Sequence, residues 1–247
     1  MANRDSILDF LGETLQPESY KDYAPNGLQL EGSKEVNLLV GATSASMPVI
    51  EKCVELNADM LLVHHGWFWP SDPKPITGPW KKKLKMAMGI DLNLVAYHLP
   101  LDCHESLGNN VPVLKELNLT DIVPIEAPLF GGEFTDPESV DTFSNRLKSY
   151  FKQCNLIQCP SDKPIRKVAI CSGAGQTYFR KAIEWGADFF ITGEGTEWVY
   201  SMAIEHNCHY AAVGHNTGER VGVQLLGNQL AKEFSLEFTF VTEDNPF

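Results

Sequence analysis

The feature that most constrains this chain is a strand–helix–strand pattern that occurs twice. Val36 to Gly66 runs strand, Gly-Ala, helix, Ala-Asp, apolar strand, His-His-Gly. Val168 to Gly195 runs strand, Gly-Ala, helix, Ala-Asp, apolar strand, Gly-Glu-Gly. Ala58-Asp-Met-Leu-Leu-Val-His-His-Gly66 therefore aligns with Ala187-Asp-Phe-Phe-Ile-Thr-Gly-Glu-Gly195. A further strand in each half ends in His-x-x-x-acid, His98 to Asp102 and His215 to Glu219. Strands so continuously apolar fit a parallel sheet covered on both faces. The expected fold class is α/β, with two similar α/β/α domains of mostly parallel sheets related by internal duplication.

Strands are read at 36–40, 60–63, 92–97, 167–171, 188–192, 210–213 and 236–241. Helices are read over 48–56, with Ser46 as cap, over 177–185, and over 140–151, where Phe143, Leu147 and Phe151 face inward. The rest of 121–164 is rich in proline, glycine and charge and reads as a connection. The first domain is expected to take residues 1–125 plus about 212–247 and to carry most of the candidate ligands; the second takes about 126–211.

Composition narrows the function. The chain has 247 residues, 43% of them hydrophobic, enough for a sizeable core or two smaller ones. Its formal net charge of -12 opposes the phosphates of nucleic acid, so no nucleic-acid partner is expected. The basic run Lys81-Lys82-Lys83-Leu84-Lys85 reads as a solvated helix face, with a phosphate-binding patch as the sharper alternative. The N-terminal apolar residues alternate with acidic ones, unlike a secretory leader, and no run approaches the ~18–20 apolar residues of a membrane span. A cytoplasmic protein without a membrane partner is the expectation. The six cysteines form no CxxC pair and read as reduced core thiols.

In open parallel sheets, ligands bind beyond the carboxyl ends of strands, and the metal-ligand residue types stand there. Strand 60–63 ends in His64-His65, strand 92–97 in His98 to Asp102, and strand 210–213 in His215 to Glu219. Each motif alone is ordinary: His-His pairs occur on surfaces, and His-x-x-x-acid is common on helices. Three together, each after a buried strand, point to a shared site for two divalent ions held by His64, His65, Asp102, His215 and Glu219. Zinc, iron, manganese, cobalt and nickel all suit imidazole with carboxylate. Two neighbouring ions activate water. His98 and Glu194 are candidate catalytic residues; His98 could equally support a ligand, and Glu194 could belong to a turn that starts a helix. Trp67, Phe68 and Trp69 could stack on a flat heterocycle, with plain packing the safer reading. His104, His206 and His209 read as structural.

At these residues the chain resembles the Nif-three-like proteins, the GTP cyclohydrolase 1 type 2 homologues, and specifically their short bacterial members. The matching segments are Asp22 to Gly32, Val63 to Gly66, Tyr97 to Asp102, Gly108 to Asn110, Ile191 to Glu194 and Val213 to Glu219. The resemblance implies a toroidal homohexamer and two divalent ions per subunit. By motif the ligands fall on His64, His65, Asp102, His215 and Glu219, with Glu219 bridging, His64 and His215 on one ion, and His65 and Asp102 on the other. It implies a small-molecule substrate, a nucleotide or related heterocycle, through hydrolytic opening of the guanine ring of GTP towards dihydroneopterin triphosphate. A non-enzymatic metal carrier or regulatory ring is the alternative. The segment Pro25-Asn26-Gly27-Leu28-Gln29 reads as a structured loop near the site.

Overall fold

The computed structural model describes residues 1–159 and 163–246. The chain forms two compact units, one of Met1–Leu101 with Gly222–Asp244, the other of Asp102–Val221 with the residues from Asn245 on. Both are α/β, as the strand spacing predicts.

In the first unit the strands Glu237–Phe240, Leu38–Ser44, Met60–His65 and Asn93–Ala96 lie side by side in that order, all parallel, and Gly27–Leu30 adds an antiparallel edge beside Asn93–Ala96. Residues 39–43 are all buried, because helices cover both faces. On one face Val40, Ala42, Leu61, Val63 and Leu94 pack against Val49, Ile50 and Cys53 of the Met47–Leu56 helix and Ala87 of the Gly78–Gly89 helix. On the other, Gly41 is a glycine because a Cβ there would lie 2.9 Å from the Phe238 ring and 3.2 Å from Val223 of the Arg220–Phe234 helix. The Met47–Leu56 helix starts as its sequence dictates. The Ser46 side chain accepts from the Val49 amide, Pro48 occupies the first turn, and Asn57 ends the helix in the left-handed region at φ 51°.

The second unit has six strands in the order Thr120–Glu126, Leu129–Glu138, Ile165–Cys171, Phe189–Thr192, His209–Ala212, Asn155–Ile157. The three parallel ones are those read from the sequence; the three antiparallel ones fall in the stretch read as a connection. The expectation of mostly parallel sheets therefore holds for the first sheet, whereas antiparallel strands flank the second. Thr120–Glu126 is an edge strand with little buried surface, so it lacks an apolar signature. Leu129–Glu138 contains Gly131 and Gly132, which suggest a loop but serve packing: a Cβ on Gly131 would sit 2.6 Å from the Trp185 ring. Phe179, Ala182, Val199 and Ala203 cover one face of this sheet. Helix Val140–Phe151 covers the other, burying Phe143, Leu147 and Phe151 as its periodicity predicts, with Phe143 edge-on to Phe189 at 4.9 Å.

The repeated Ala-Asp does the same work in both units. Asp59 Oδ2 accepts from the Asn37 and Leu38 amides at 2.8 and 2.9 Å, and Asp188 Oδ2 accepts from the Arg166 and Lys167 amides at 2.9 Å each. Each carboxylate thus ties the start of its own strand to the start of the preceding one, the hydrogen-bond equivalence that a duplication predicts. Among the described residues no helix is long and apolar enough to cross a membrane. The six cysteines are free thiols, as expected.

Candidate metal centre

The first unit presents three imidazoles together. His64 and His65 end the Met60–His65 strand, whose last ladder partner is Ser44 opposite His65. Successive residues of a regular strand point to opposite faces. Here pairing stops at His65 and Gly66 lets the chain turn, so the two rings converge, with centroids 4.6 Å apart. A Cβ on Gly66 would collide with the Gln29 side chain at 2.1 Å. His98, next after the Asn93–Ala96 strand and Tyr97, brings its ring to 5.0 Å from His64 and 5.9 Å from His65. One nitrogen from each of the three lies within 4.8 Å of the others, a group able to hold a metal ion.

Each ring is fixed through Nδ1. His64 Nδ1 donates to the Tyr97 carbonyl at 3.0 Å, His98 Nδ1 to Asp22 Oδ1 at 2.9 Å, and His65 Nδ1 meets Ser44 Oγ at 3.1 Å. A carbonyl or carboxylate only accepts, so in His64 and His98 the proton sits on Nδ1 and Nε2 is the nitrogen offered to a cation. Asp22 is the hub of this arrangement. It also accepts from the Ala24 and Leu99 amides and the Asn26 side chain, while Asn26 Oδ1 accepts from the His98 amide at 2.8 Å. Burial raises the Asp22 carboxyl, but His98, the Ala24 amide and Asn26 outweigh it and hold it well below the usual carboxylate range. Gln29 supports the next stretch: its Oε1 accepts from the Trp67 amide at 2.7 Å and its Nε2 donates to the Pro25 carbonyl. The Pro25 to Gln29 segment is thus an edge strand and a set of side-chain struts under the histidines, which gives it the physical role that its sequence left open.

The second unit presents Asp102, His215 and Glu219. Asp102 is 4% exposed and its Oδ1 accepts from Asn109 Nδ2 at 2.8 Å and Ser172 Oγ at 2.9 Å. His215 and Glu219 stand one helical turn apart, with Nε2 to Oε2 at 3.1 Å, and Glu219 is 3% exposed. Glu194 Oε1 accepts from His215 Nδ1 at 2.6 Å, the same tether as in the first unit. Burial lowers the His215 pKa, but Glu219 and then Glu194 outweigh it and raise it to about 9. Gly173, at φ 62°, makes room for this pair: a Cβ would lie 2.1 Å from Glu219 Oε1 and 3.1 Å from His215 Nε2. Nearby Cys171 is buried, and that burial with the charges of Asp102 and Glu219 raises its thiol far above the ordinary value. It stays protonated and offers no thiolate.

The donor set suits a borderline divalent cation. In the first unit, His64 and His98 imidazoles held through Nδ1, and in the second, two nearly buried carboxylates and a backbone cleared of side chain around Glu219 and His215, are donor types that zinc, iron, manganese, cobalt or nickel accept. The residues singled out in the sequence fall accordingly: His64, His65 and His98 gather in the first unit, and His215, Glu219 and Glu194 gather in the second. Sequence reasoning missed Asp22, Ser44, Asn109 and Ser172 as supports. Asp22 and Asn26, four apart before a strand, were a visible pairing, but nothing local said that His98 lay between them. Of the histidines read as structural, His104 Nδ1 accepts from the Ser106 and Leu107 amides, and His209 Nδ1 from the Cys159 amide, with burial lowering the His209 pKa.

Comparison with known proteins agrees with these motifs. The model of the family described as Duf34/NIF3 (NGG1p interacting factor 3) matches residues 2–246. A Vibrio cholerae serotype O1 protein named GTP cyclohydrolase 1 type 2 homolog is 40% identical over 243 residues, 96% of each chain. A Yersinia pestis protein of the same name is 38% identical over 238 residues, again 96% of each. Among solved structures, one described as protein ybgI, of unknown function, superposes with a TM-score of 0.95 at 33% identity over 100% of both chains. Reduced HcgD from Methanocaldococcus jannaschii superposes with a TM-score of 0.87 at 25% identity over 98% of both. With residues 2–246 matched and identities of this order, the protein belongs to the Duf34/NIF3 family.

Proposed function

We propose that the chain is a hydrolase dependent on two divalent metal ions, held by His64, His65, Asp102, His215 and Glu219, acting on a nucleotide or related heterocycle. The observation that supports this is that an acceptor holds Nδ1 of His64 and of His215, so that Nε2 is the ring atom suited to coordinate a cation once the His215 Nε2 proton, shared with Glu219, is displaced. When bound, such ions would supply Lewis acidity and lower the pKa of a water. Glu219, buried and with a glycine, Gly173, packed beside it, is the carboxylate that would serve both ions.

The remaining roles follow from the chain's own groups. Glu194 orients His215 through Nδ1 and raises its basicity. Asp22 holds His98 through Nδ1, which leaves Nε2 to pass a proton to or from a bound ring; His98 is the candidate acid–base group. The names of the relatives, GTP cyclohydrolase 1 type 2 homologs, favour the guanine ring of GTP as the first substrate to try, opened by water towards dihydroneopterin triphosphate. Assembly as a toroidal homohexamer in the cytoplasm completes the proposal.

Natively purified protein, analysed for metal content and supplied with GTP, tests this reading. Two equivalents of metal per chain and ring opening followed by product chromatography support it, provided that His65→Ala and Glu219→Ala abolish both metal and turnover. Full metal occupancy with no turnover of GTP or related heterocycles overturns it in favour of a metal carrier.

A further inference from the structure

The first unit contains a second recognition element that the metal ligands do not account for. A cavity of about 860 Å³ is lined by Tyr23, Trp67, Phe68, Trp69, Trp80 and Lys83, among others. The size is that of a small-molecule site. Its walls are aromatic faces and edges: Trp67 meets Trp80 edge-on at 4.9 Å, Phe68 meets Trp80 at 6.0 Å, and Tyr23 meets Trp69 at 5.8 Å. Pro70, Pro73, Pro75 and Pro79 stiffen the loop that carries them. Phe68 and Ile76 nevertheless leave 47% and 56% of their surface exposed at this lining, an arrangement that favours an apolar occupant.

Two lysines line the cavity, Lys74 on the proline-rich loop and Lys83 against the tryptophans. The lysine run of the Gly78–Gly89 helix divides its labour: Lys82 pairs with Glu51 at 2.9 Å on the surface, while Lys83 turns inward. Lys83 Nζ lies 5.6 Å from the centroids of both Trp67 and Trp80 and donates to the Ala45 carbonyl at 3.3 Å. An ammonium has three donors, so two N–H groups remain for an anion. Burial lowers its pKa, opposed by the charge of Asp72 across the same cavity. An anionic occupant at Lys83 would restore the lost stabilisation. The aromatic wall also runs into the imidazoles: Trp69 lies 5.6 Å from His65 and 5.4 Å from His98, and Tyr23 lies 5.1 Å from His98.

We infer that this cavity binds a planar heteroaromatic anion, its ring packed among Trp67, Phe68, Trp69 and Trp80, its negative group on Lys83, and one ring edge facing His65 and His98. This names the ligand class of the proposed site and rests on that reading for its catalytic meaning; the binding itself needs no metal. Aromatic faces supply affinity without reading the hydrogen-bonding edge of the ring, so different flat rings are accepted and the charge is what discriminates.

The test is binding to the full chain stripped of metal with a chelator, read by tryptophan fluorescence and calorimetry. The probes are GMP and FMN as flat anions, guanosine as a flat neutral ring, and ribose 5-phosphate as an anion without a ring. At least one flat anion binds, guanosine binds about tenfold more weakly than GMP, and ribose 5-phosphate does not compete. Lys83→Gln brings GMP down to the level of guanosine and leaves guanosine unchanged, whereas Phe68→Ala, at an exposed position, weakens both. Failure of both flat anions to bind, equal binding of ribose 5-phosphate, or GMP affinity untouched by both substitutions overturns the inference. Because the protein carries no metal in this assay, a failed hydrolase and a failed cavity give different results.

Discussion

Asp22 Oδ1 stands 2.9 Å from Nδ1 of His98, a residue 76 positions further along the chain. The carboxylate is 3% exposed at its side chain and accepts from two backbone amides besides. Asp22→Ala leaves those donors and the imidazole without their acceptor, and is expected to cost about 2–3 kcal/mol in urea unfolding. The sign with pH follows from a carboxyl held below its ordinary value: the contribution is complete above pH 3.8 and is lost as pH falls further. Asp22→Asn should flatten the acid limb of the melting temperature against pH; an unchanged limb would show that the pair contributes nothing.

His215 gives the opposite pH behaviour. In metal-free protein its pKa of about 9 lies above the ordinary 6.5, so the ion pair with Glu219 and Glu194 stabilises fully below pH 6.5 and the contribution disappears as pH rises through 9. A divalent cation must displace that proton. Metal affinity is therefore expected to rise with pH by up to about tenfold per unit for this one group and to level off near 9. Calorimetry in buffers of different ionisation heat measures the released proton, and Glu194→Gln should reduce it at pH 8. Equal proton release by that variant and the parent would contradict the role given to Glu194.

Gly173→Ala tests the cradle directly. The added methyl falls 2.1 Å from Glu219 Oε1, at a backbone φ of 62°. Backbone strain of about 1–2 kcal/mol is expected, together with loss of metal from the Glu219 and His215 side. Circular dichroism should retain the α/β signature while elemental analysis loses metal; full metal content in a folded variant would refute the steric argument.

The repeated aspartates make a fourth test. Asp59→Ala and Asp188→Ala each remove an acceptor shared by two backbone amides, and each is expected to cost about 2–3 kcal/mol. If the two halves are mechanically equivalent, the losses match within about 1 kcal/mol. A large inequality would show that the shared motif is decoration in one of them.

What the sequence made legible, and what it hid, has a physical pattern. The parallel strands 60–65 and 189–192 were visible because residues on both of their faces are apolar, and helix 140–151 because Phe143, Leu147 and Phe151 recur on one face. The strands 120–126 and 129–138 were hidden: one is an exposed edge, and in the other Gly131 yields its side-chain space to Trp185. At the site, the imidazoles and carboxylates showed through residue type and position after strands. Their supports did not, since Asp22 beneath His98 and Ser172 beside Asp102 are joined across 76 and 70 residues, distances over which local spacing carries no information. Lys83 was one of several lysines in a run until the fold turned it alone towards Trp67 and Trp80.

The convergence of His64 and His65 at the last rung of a strand makes this part of the molecule far less tolerant of changes in length than of changes in residue type. Strand geometry assigns each position a side by parity, so deleting one residue between Met60 and Val63 would draw both rings back by one position, off the rung that Ser44 shares with His65, and turn each to the opposite side. Drift by conservative replacement can proceed along this strand while its residue count stays frozen, and the distance from Asp59 to Gly66 becomes a ruler that the chain must keep.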